Sequence, residues 1–160
     1  KRQVRMLSRV IPITLTPPFT IGHLREELTY EEELEGKGSE YISLYNADGR
    51  CQLDDDIIFP DEEYGLFIHT LPIIRYYIEE TDEIRELEVE QMTVKEAYDA
   101  FWRSCSEDER EEYLYSSYQY YYLTLREGGM WLYYTDELDD LVNKEICVRM
   151  HYEQEPYELE

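Results

Sequence analysis

Thr93-Val94-Lys95-Glu96-Ala97-Tyr98-Asp99-Ala100-Phe101-Trp102-Arg103-Ser104-Cys105 is the stretch around which this chain is organised. Val94, Ala97, Tyr98, Phe101, Trp102 and Cys105 recur at i, i+3, i+4, i+7, i+8 and i+11, which places all six on one face of a helix. Thr93 and Glu96 form a capping box, in which each side chain satisfies a backbone N–H of the other residue. The spacing predicts one amphipathic helix, and the strand-like pairs on either side of it carry the main clue to the fold.

Before the helix, residues 73–80 and 84–89 read as two strands joined by a turn at Thr81-Asp82-Glu83. After it, Ser106 and Glu109 make a second capping box, which predicts a short helix through about Tyr115 inside an acidic insertion. Residues 120–126 then read as a strand, Glu127-Gly128-Gly129 as a turn, 131–134 as a strand and 135–141 as a turn-like segment. The last strand covers residues 145–150, with Ile146, Val148 and Met150 sharing one face.

The first half has the same order. Residues 3–9 and 11–16 predict a hairpin with Pro12 on an edge or at a strand start, closed by Pro17-Pro18. Thr20 caps a helix with Ile21, Leu24 and Leu28 inward, which is expected to run to Glu31-Glu32-Glu33, fray there against its own dipole, and stop at Gly36 and Gly38. Residues 41–45 alternate as a strand, Asn46-Ala47-Asp48-Gly49 supplies turn chemistry, residues 51–53 form a short strand and residues 63–69 a closing one. Asp54-Asp55-Asp56 lacks the ligand spacing of a calcium loop and reads as an acidic surface turn leading into buried Ile57 and Ile58. The pattern ββαββ therefore occurs twice, with the helix starts, Thr20 and Thr93, 73 residues apart. The fold class expected is α+β, two tandem domains at 1–71 and 72–160, each a mixed sheet packed on one helix. Only Thr70-Leu71-Pro72 separates the halves, too short for a flexible tether.

Across 160 residues, 38 acidic against 15 basic side chains give a formal charge of −23, which disfavours direct binding to nucleic acid or anionic membranes and favours a basic protein partner. The imbalance is greatest after residue 72, where 24 acidic residues face 8 basic ones, and 13 of the 17 tyrosines lie there too. Cys51, Cys105 and Cys147 are odd in number and widely spaced, which suggests neither a disulfide framework nor a zinc site and fits a reducing, cytoplasmic compartment. No run reaches the ~18–20 apolar residues of a membrane span. Phosphate-cradle, nucleophile-elbow and zincin motifs are missing and His23, His69 and His151 are isolated, so no enzyme activity and no cofactor are expected.

The order of elements resembles the ubiquitin-like β-grasp superfamily over roughly residues 2–71 and again 73–152. The most telling pieces are 51–58 before 64–69, and 131–138 before 146–150. The resemblance implies noncovalent binding through the exposed face of the sheet. Family members that act as modifiers end in Gly-Gly; this chain ends Glu155-Pro156-Tyr157-Glu158-Leu159-Glu160, so conjugation is not expected of the sequence as it stands. The helix also has a weak similarity to type VII secretion accessory proteins.

Strand alternation then selects the candidate site residues. With Leu123 and Leu125 under the helix, Tyr120, Tyr122 and Thr124 face outward beside Cys147, Arg149 and His151. With Ile42, Leu44, Leu66 and Ile68 inward, Tyr41, Ser43, Tyr45, Phe67 and His69 face outward in the first half. The partner-binding candidates are Tyr41, Tyr45, Phe67, His69, Tyr120, Tyr122, Arg149 and His151, because tyrosine gives large contact area at low entropic cost. The function expected is noncovalent protein–protein interaction. The alternatives are an acidic mimic of nucleic acid that inhibits a DNA- or RNA-binding protein, and a ubiquitin-like modifier or secretion accessory protein.

Overall fold

The computed structural model describes residues 19–31, 34–59, 61–113, 119–135, 141–142 and 144–152. The expected first hairpin, within residues 3–16, lies outside these, as does most of the turn-like segment at 135–141. The chain divides into two compact units, Lys1–Ile73 and Ile74–Glu160. Among the described residues the architecture is mixed α and β, with three α-helices and two sheets.

In the first unit, helix α1 (Ile21–Leu28) is followed by a 3₁₀ turn (Ser39–Tyr41) and strands β1 (Ile42–Tyr45) and β2 (Gly65–Ile68). Thr20 caps α1 by accepting from the His23 amide, and the Ile21 and Gly22 N–H groups donate to the Asp56 and Asp54 carbonyls, so donors that a helix start leaves open are met. The helix ends at Leu28, short of the acidic run to which the pattern extended it. Beyond it Leu34 is fully buried beside Ile21, Leu24, Leu28, Ile42, Leu44 and Leu66. β1 and β2 pair antiparallel, Ile42 opposite Ile68 and Leu44 opposite Leu66. The expected strand at 51–53 reduces to a bridge between Tyr45 and Cys51, and Ile57, expected inside, is 57% exposed.

Among the described residues of this unit Arg25 is the buried charge, 2% exposed. Its guanidinium spans Asp54 Oδ1 at 2.6 Å, the Ile42 carbonyl at 3.3 Å and the Ser39 carbonyl, tying α1 to the turn and to β1. Asp54 is thus a structural counter-ion, and the Asp56 carboxylate accepts from the Leu53 N–H.

From the unit boundary onward come β3 (Ile73–Ile78), whose first residue is the last of the first unit, β4 (Glu83–Glu88), α2 (Val94–Ser104), α3 (Glu107–Tyr113), β5 (Gln119–Leu125), β6 (Trp131–Leu132) and β7 (Ile146–Tyr152). Their sheet order is β4-β3-β7-β5-β6. β3 and β7 run parallel at the centre, with Tyr76 opposite Ile146, and β5 pairs antiparallel with both β7 and β6. Only residues 79–82 join β3 to β4, so that pair must return antiparallel. Gly128 and Gly129 both take positive φ, 88° and 72°, in the β5–β6 turn, a conformation that glycine adopts without steric cost.

α2 lies against one face of this sheet. Val94, Ala97, Ala100, Phe101 and Cys105 pack on Ile74, Tyr76, Ile78, Leu123, Leu132, Ile146 and Val148. Ala100, missing from the six-residue pattern, is in this core, and Trp102, which belongs to the pattern, is only half-buried. Trp102 stacks on Tyr121 at 6.3 Å, with the Arg110 guanidinium over its ring. Thr93 caps the helix through the Glu96 amide, but the Glu96 carboxylate pairs with Arg103 at 3.1 Å, so half of the expected box forms. The Tyr76 hydroxyl donates to the Ala97 carbonyl at 2.7 Å, and burial pushes that phenol far above its ordinary pKa.

The second capping box closes on both sides: Glu109 N–H donates to Ser106 Oγ and Ser106 N–H to Glu109 Oε1. Glu109 also meets Arg85 at 3.0 Å, and Arg85 lies over the Phe101 ring. Partial burial opposes ionisation of Glu109, but the Ser106 amide and Arg85 together outweigh it and hold the carboxyl below its usual value.

Two outcomes follow from this packing. Phe101→Ala is expected to cost about 3–5 kcal/mol, and Trp102→Ala less than half of that, read from urea midpoints at constant slope; equal losses would restore the six-residue face. Because Glu109 is depressed in the folded state, its contribution is present above the unfolded carboxyl value of about 4.3 and fades as pH falls through the folded one. Glu109→Gln should therefore be less stable than the parent at pH 7, with the gap closing below about pH 4 in low-salt urea titrations.

Candidate functional site

The face of the second sheet opposite α2 carries the candidate site. β5 places Leu123 and Leu125 toward the helix and Tyr120, Tyr122 and Thr124 away from it, and its register sets Tyr120 opposite His151, Tyr122 opposite Arg149 and Thr124 opposite Cys147. Four of the expected residues, Tyr120, Tyr122, Arg149 and His151, thus come together on one surface.

Their rings make a continuous stripe across three strands. Tyr120 lies 4.9 Å from His151, and His151 meets Tyr122 edge-on at 6.2 Å. Tyr122 stacks on Trp131 at 4.0 Å with an interplanar angle of 18°, and Trp131 reaches Tyr133 at 6.0 Å. Trp131 and Tyr133, which the sequence reading left out of the site, are its most exposed members at 39% and 57%. The signal for them was the alternation around buried Leu132, which turns both neighbours outward once Leu132 points to the core.

A phenol from α2 positions this stripe. The Tyr98 hydroxyl accepts from the Leu123 N–H at 3.0 Å and donates to the Leu132 carbonyl at 2.5 Å, bridging the paired residues of β5 and β6. The two-residue strand that carries Trp131 is thereby fastened to the helix as well as to its neighbour.

Arg149 borders the stripe. It is held by Thr124 Oγ1 at 3.0 Å and by the Glu79 carboxylate, so its charge is already compensated within the chain. Thr124 and Cys147 lie on the expected face but are buried, at 1% and 4%; Thr124 sits within reach of the Arg149 side chain. Burial pushes the Cys147 thiol up, away from a reactive thiolate. Toward the other end of β7 the face closes into a buried ion network, with Arg75 on Glu145 at 3.3 Å and Arg126 on the same carboxylate at 3.4 Å.

The first unit has a smaller counterpart. The His69 N–H donates to the Tyr41 carbonyl, one register step beyond Ile42–Ile68, as His151 lies one step beyond Tyr121–Met150 in the second unit. Phe67 meets His69 edge-on at 4.6 Å, and Lys37 lies over the Tyr41 ring at 5.2 Å while bonding the His69 carbonyl. Ser43, expected outside, is 1% exposed, because its hydroxyl is taken up by His69 Nε2 at 2.6 Å. Tyr45 stands at the far end of β1, opposite Gly65, two register steps from Ser43 and Phe67.

No protein-family model matches the chain, and no curated protein matches it either. Among the described residues no helix is long and apolar enough to cross a membrane.

If Tyr98 positions the stripe, Tyr98→Phe leaves the Leu123 N–H and the Leu132 carbonyl without that partner. A loss of about 1–3 kcal/mol is expected, with a weaker near-ultraviolet circular dichroism signal from the Tyr122–Trp131 stack. An unchanged signal would show that β6 holds its place without the phenol.

Proposed function

We propose that the chain is a pair of ubiquitin-like β-grasp modules that binds a basic partner protein noncovalently, through the outer face of the second sheet. The observation that carries this reading is the aromatic stripe Tyr120–His151–Tyr122–Trp131–Tyr133, which leaves large ring area exposed on the side away from the helix. Clustered exposed rings of this kind mark interaction surfaces, and Trp and Tyr are enriched among the residues that dominate binding energy at such contacts.

Other features support the same reading. In the second unit the first and last strands lie parallel at the centre, flanked by antiparallel neighbours, with one long helix across a single face, as a β-grasp module requires. The formal charge of −23 attracts a basic surface and speeds its encounter. Chemistry is a poorer fit. Ser43 and His69 make the contact of a nucleophile and its base, but at 1% exposure the serine offers a substrate no approach. Burial likewise raises the thiols of Cys105 and Cys147.

The test uses the intact chain as bait. Proteins retained by the parent should be lost from Tyr122→Ala/Trp131→Ala, with circular dichroism and melting temperature preserved; retention by that variant would overturn the proposal. Competition by duplex DNA for the retained protein would favour the nucleic-acid mimic instead.

A further inference from the structure

We infer that Asp48-Gly49 is a self-modification site: the Gly49 backbone nitrogen closes on the Asp48 side chain to form a cyclic imide, which reopens to isoaspartate and re-routes the chain in the turn after β1. The site lies in the first unit and is independent of the face proposed to bind a partner.

Three observations lead to it. First, this is the one Asp-Gly pair in the chain, and Asn-Gly does not occur. Imide closure needs an unscreened nitrogen after the aspartate, and glycine has no Cβ to screen it. Second, there is room. Ala47, Asp48, Gly49 and Arg50 are all exposed, and beyond the chain neighbours no atom lies within 4 Å of where a Cβ on Gly49 would stand. Asp48 is held through its backbone N–H, which donates to Asn46 Oδ1 at 3.0 Å, and this leaves its side chain able to rotate.

Third, the turn restrains the nucleophile. The Gly49 N–H donates to the Asn46 carbonyl at 2.9 Å, and Asn46 Oδ1 also accepts from the Arg50 N–H at 2.9 Å. Gly49 must leave that carbonyl before it attacks, so the imide forms from turns that have opened locally. Asn46 therefore sets the pace.

The atoms balance without a co-reactant. The Gly49 nitrogen bonds to Asp48 Cγ, and one carboxyl oxygen departs as water with the carboxyl and amide protons. Water then adds back to either imide carbonyl. At Cγ it restores aspartate; at the Asp48 backbone carbon it gives isoaspartate, with the chain running through Cβ. The turn gains one backbone atom, and the Asn46 N–H to Arg50 carbonyl bond of 3.0 Å and the Tyr45–Cys51 bridge both depend on its length.

The experiment incubates the intact chain for several weeks at physiological pH and temperature, folded and in guanidinium chloride. Hydroxylamine, which cleaves the imide, should release fragments 1–48 and 49–160 from the folded chain. Methyl transfer by a purified isoaspartyl carboxyl methyltransferase should grow with time. Both signals should be lost in Asp48→Ser. Asn46→Ala should convert about fivefold faster, the factor by which loss of one hydrogen bond raises an opening equilibrium, whereas Asn46→Asp, which keeps an acceptor oxygen, should stay near the parent. The guanidinium sample supplies the unrestrained rate should Asn46→Ala fold poorly. Conversion in guanidinium with none in the folded chain would overturn the proposal, as would signals that persist in Asp48→Ser. Equal rates in the two samples would overturn the restraint by Asn46.

Discussion

One hydroxyl ties the second unit together. Tyr98 reaches from α2 to the sheet edge, accepting a hydrogen bond from the Leu123 N–H and donating its O–H to the Leu132 carbonyl. A two-residue strand has little pairing of its own with which to hold register. Anchored by a partly buried phenol and by the insertion of Leu132 into the core, β6 keeps Trp131 where Tyr122 can stack on it. The helix that fills the core on one face therefore sets the ring geometry on the other, and Tyr76, donating to Ala97, fixes the same helix over the sheet centre.

Charge is handled differently inside and outside. Arg25, Arg75 and Glu145 are buried, and each is met by opposite charge or by carbonyl oxygens, because an unpaired ion in that environment would cost several kcal/mol (on the order of 3–5). The desolvation cost of such pairs offsets most of their mutual attraction, so they are weak evidence for stability. Outside, carboxylates exceed basic side chains and leave the chain at a formal charge of −23. It projects a negative field, and under the proposed function the aromatic stripe would supply the short-range contact that a field alone lacks.

Much of this was legible in the chain. The 3.6-residue period around Val94, Ala97 and Phe101 and the cap at Thr93 locate α2, and strand alternation separates Leu123 from Tyr122 and Leu44 from Ser43. The errors have particular causes. Trp102 is too large to be enclosed at the margin of the helix face, while small Ala100 lets the helix approach the sheet. Glu96 finds Arg103 two turns along the helix, a stronger partner than the Thr93 N–H. Arg25 is not part of the Ile21, Leu24 and Leu28 pattern, and nothing local announced that Ser39, Ile42 and Asp54 would converge on it.

By itself the sequence determined the α+β class, the identity of the central helix, the inward and outward sides of the paired strands, and the negative field. These follow from local periodicity and composition, which act over a few residues at a time. Only the tertiary structure decided that Trp131 and Tyr133 join Tyr120, Tyr122 and His151, that Ser43 and Thr124 are covered although they point outward, and that Arg149 is neutralised by Glu79. The physical reason is register: which side chains become neighbours across β7, β5 and β6 depends on how strands distant in sequence align, and no short-range pattern encodes that alignment.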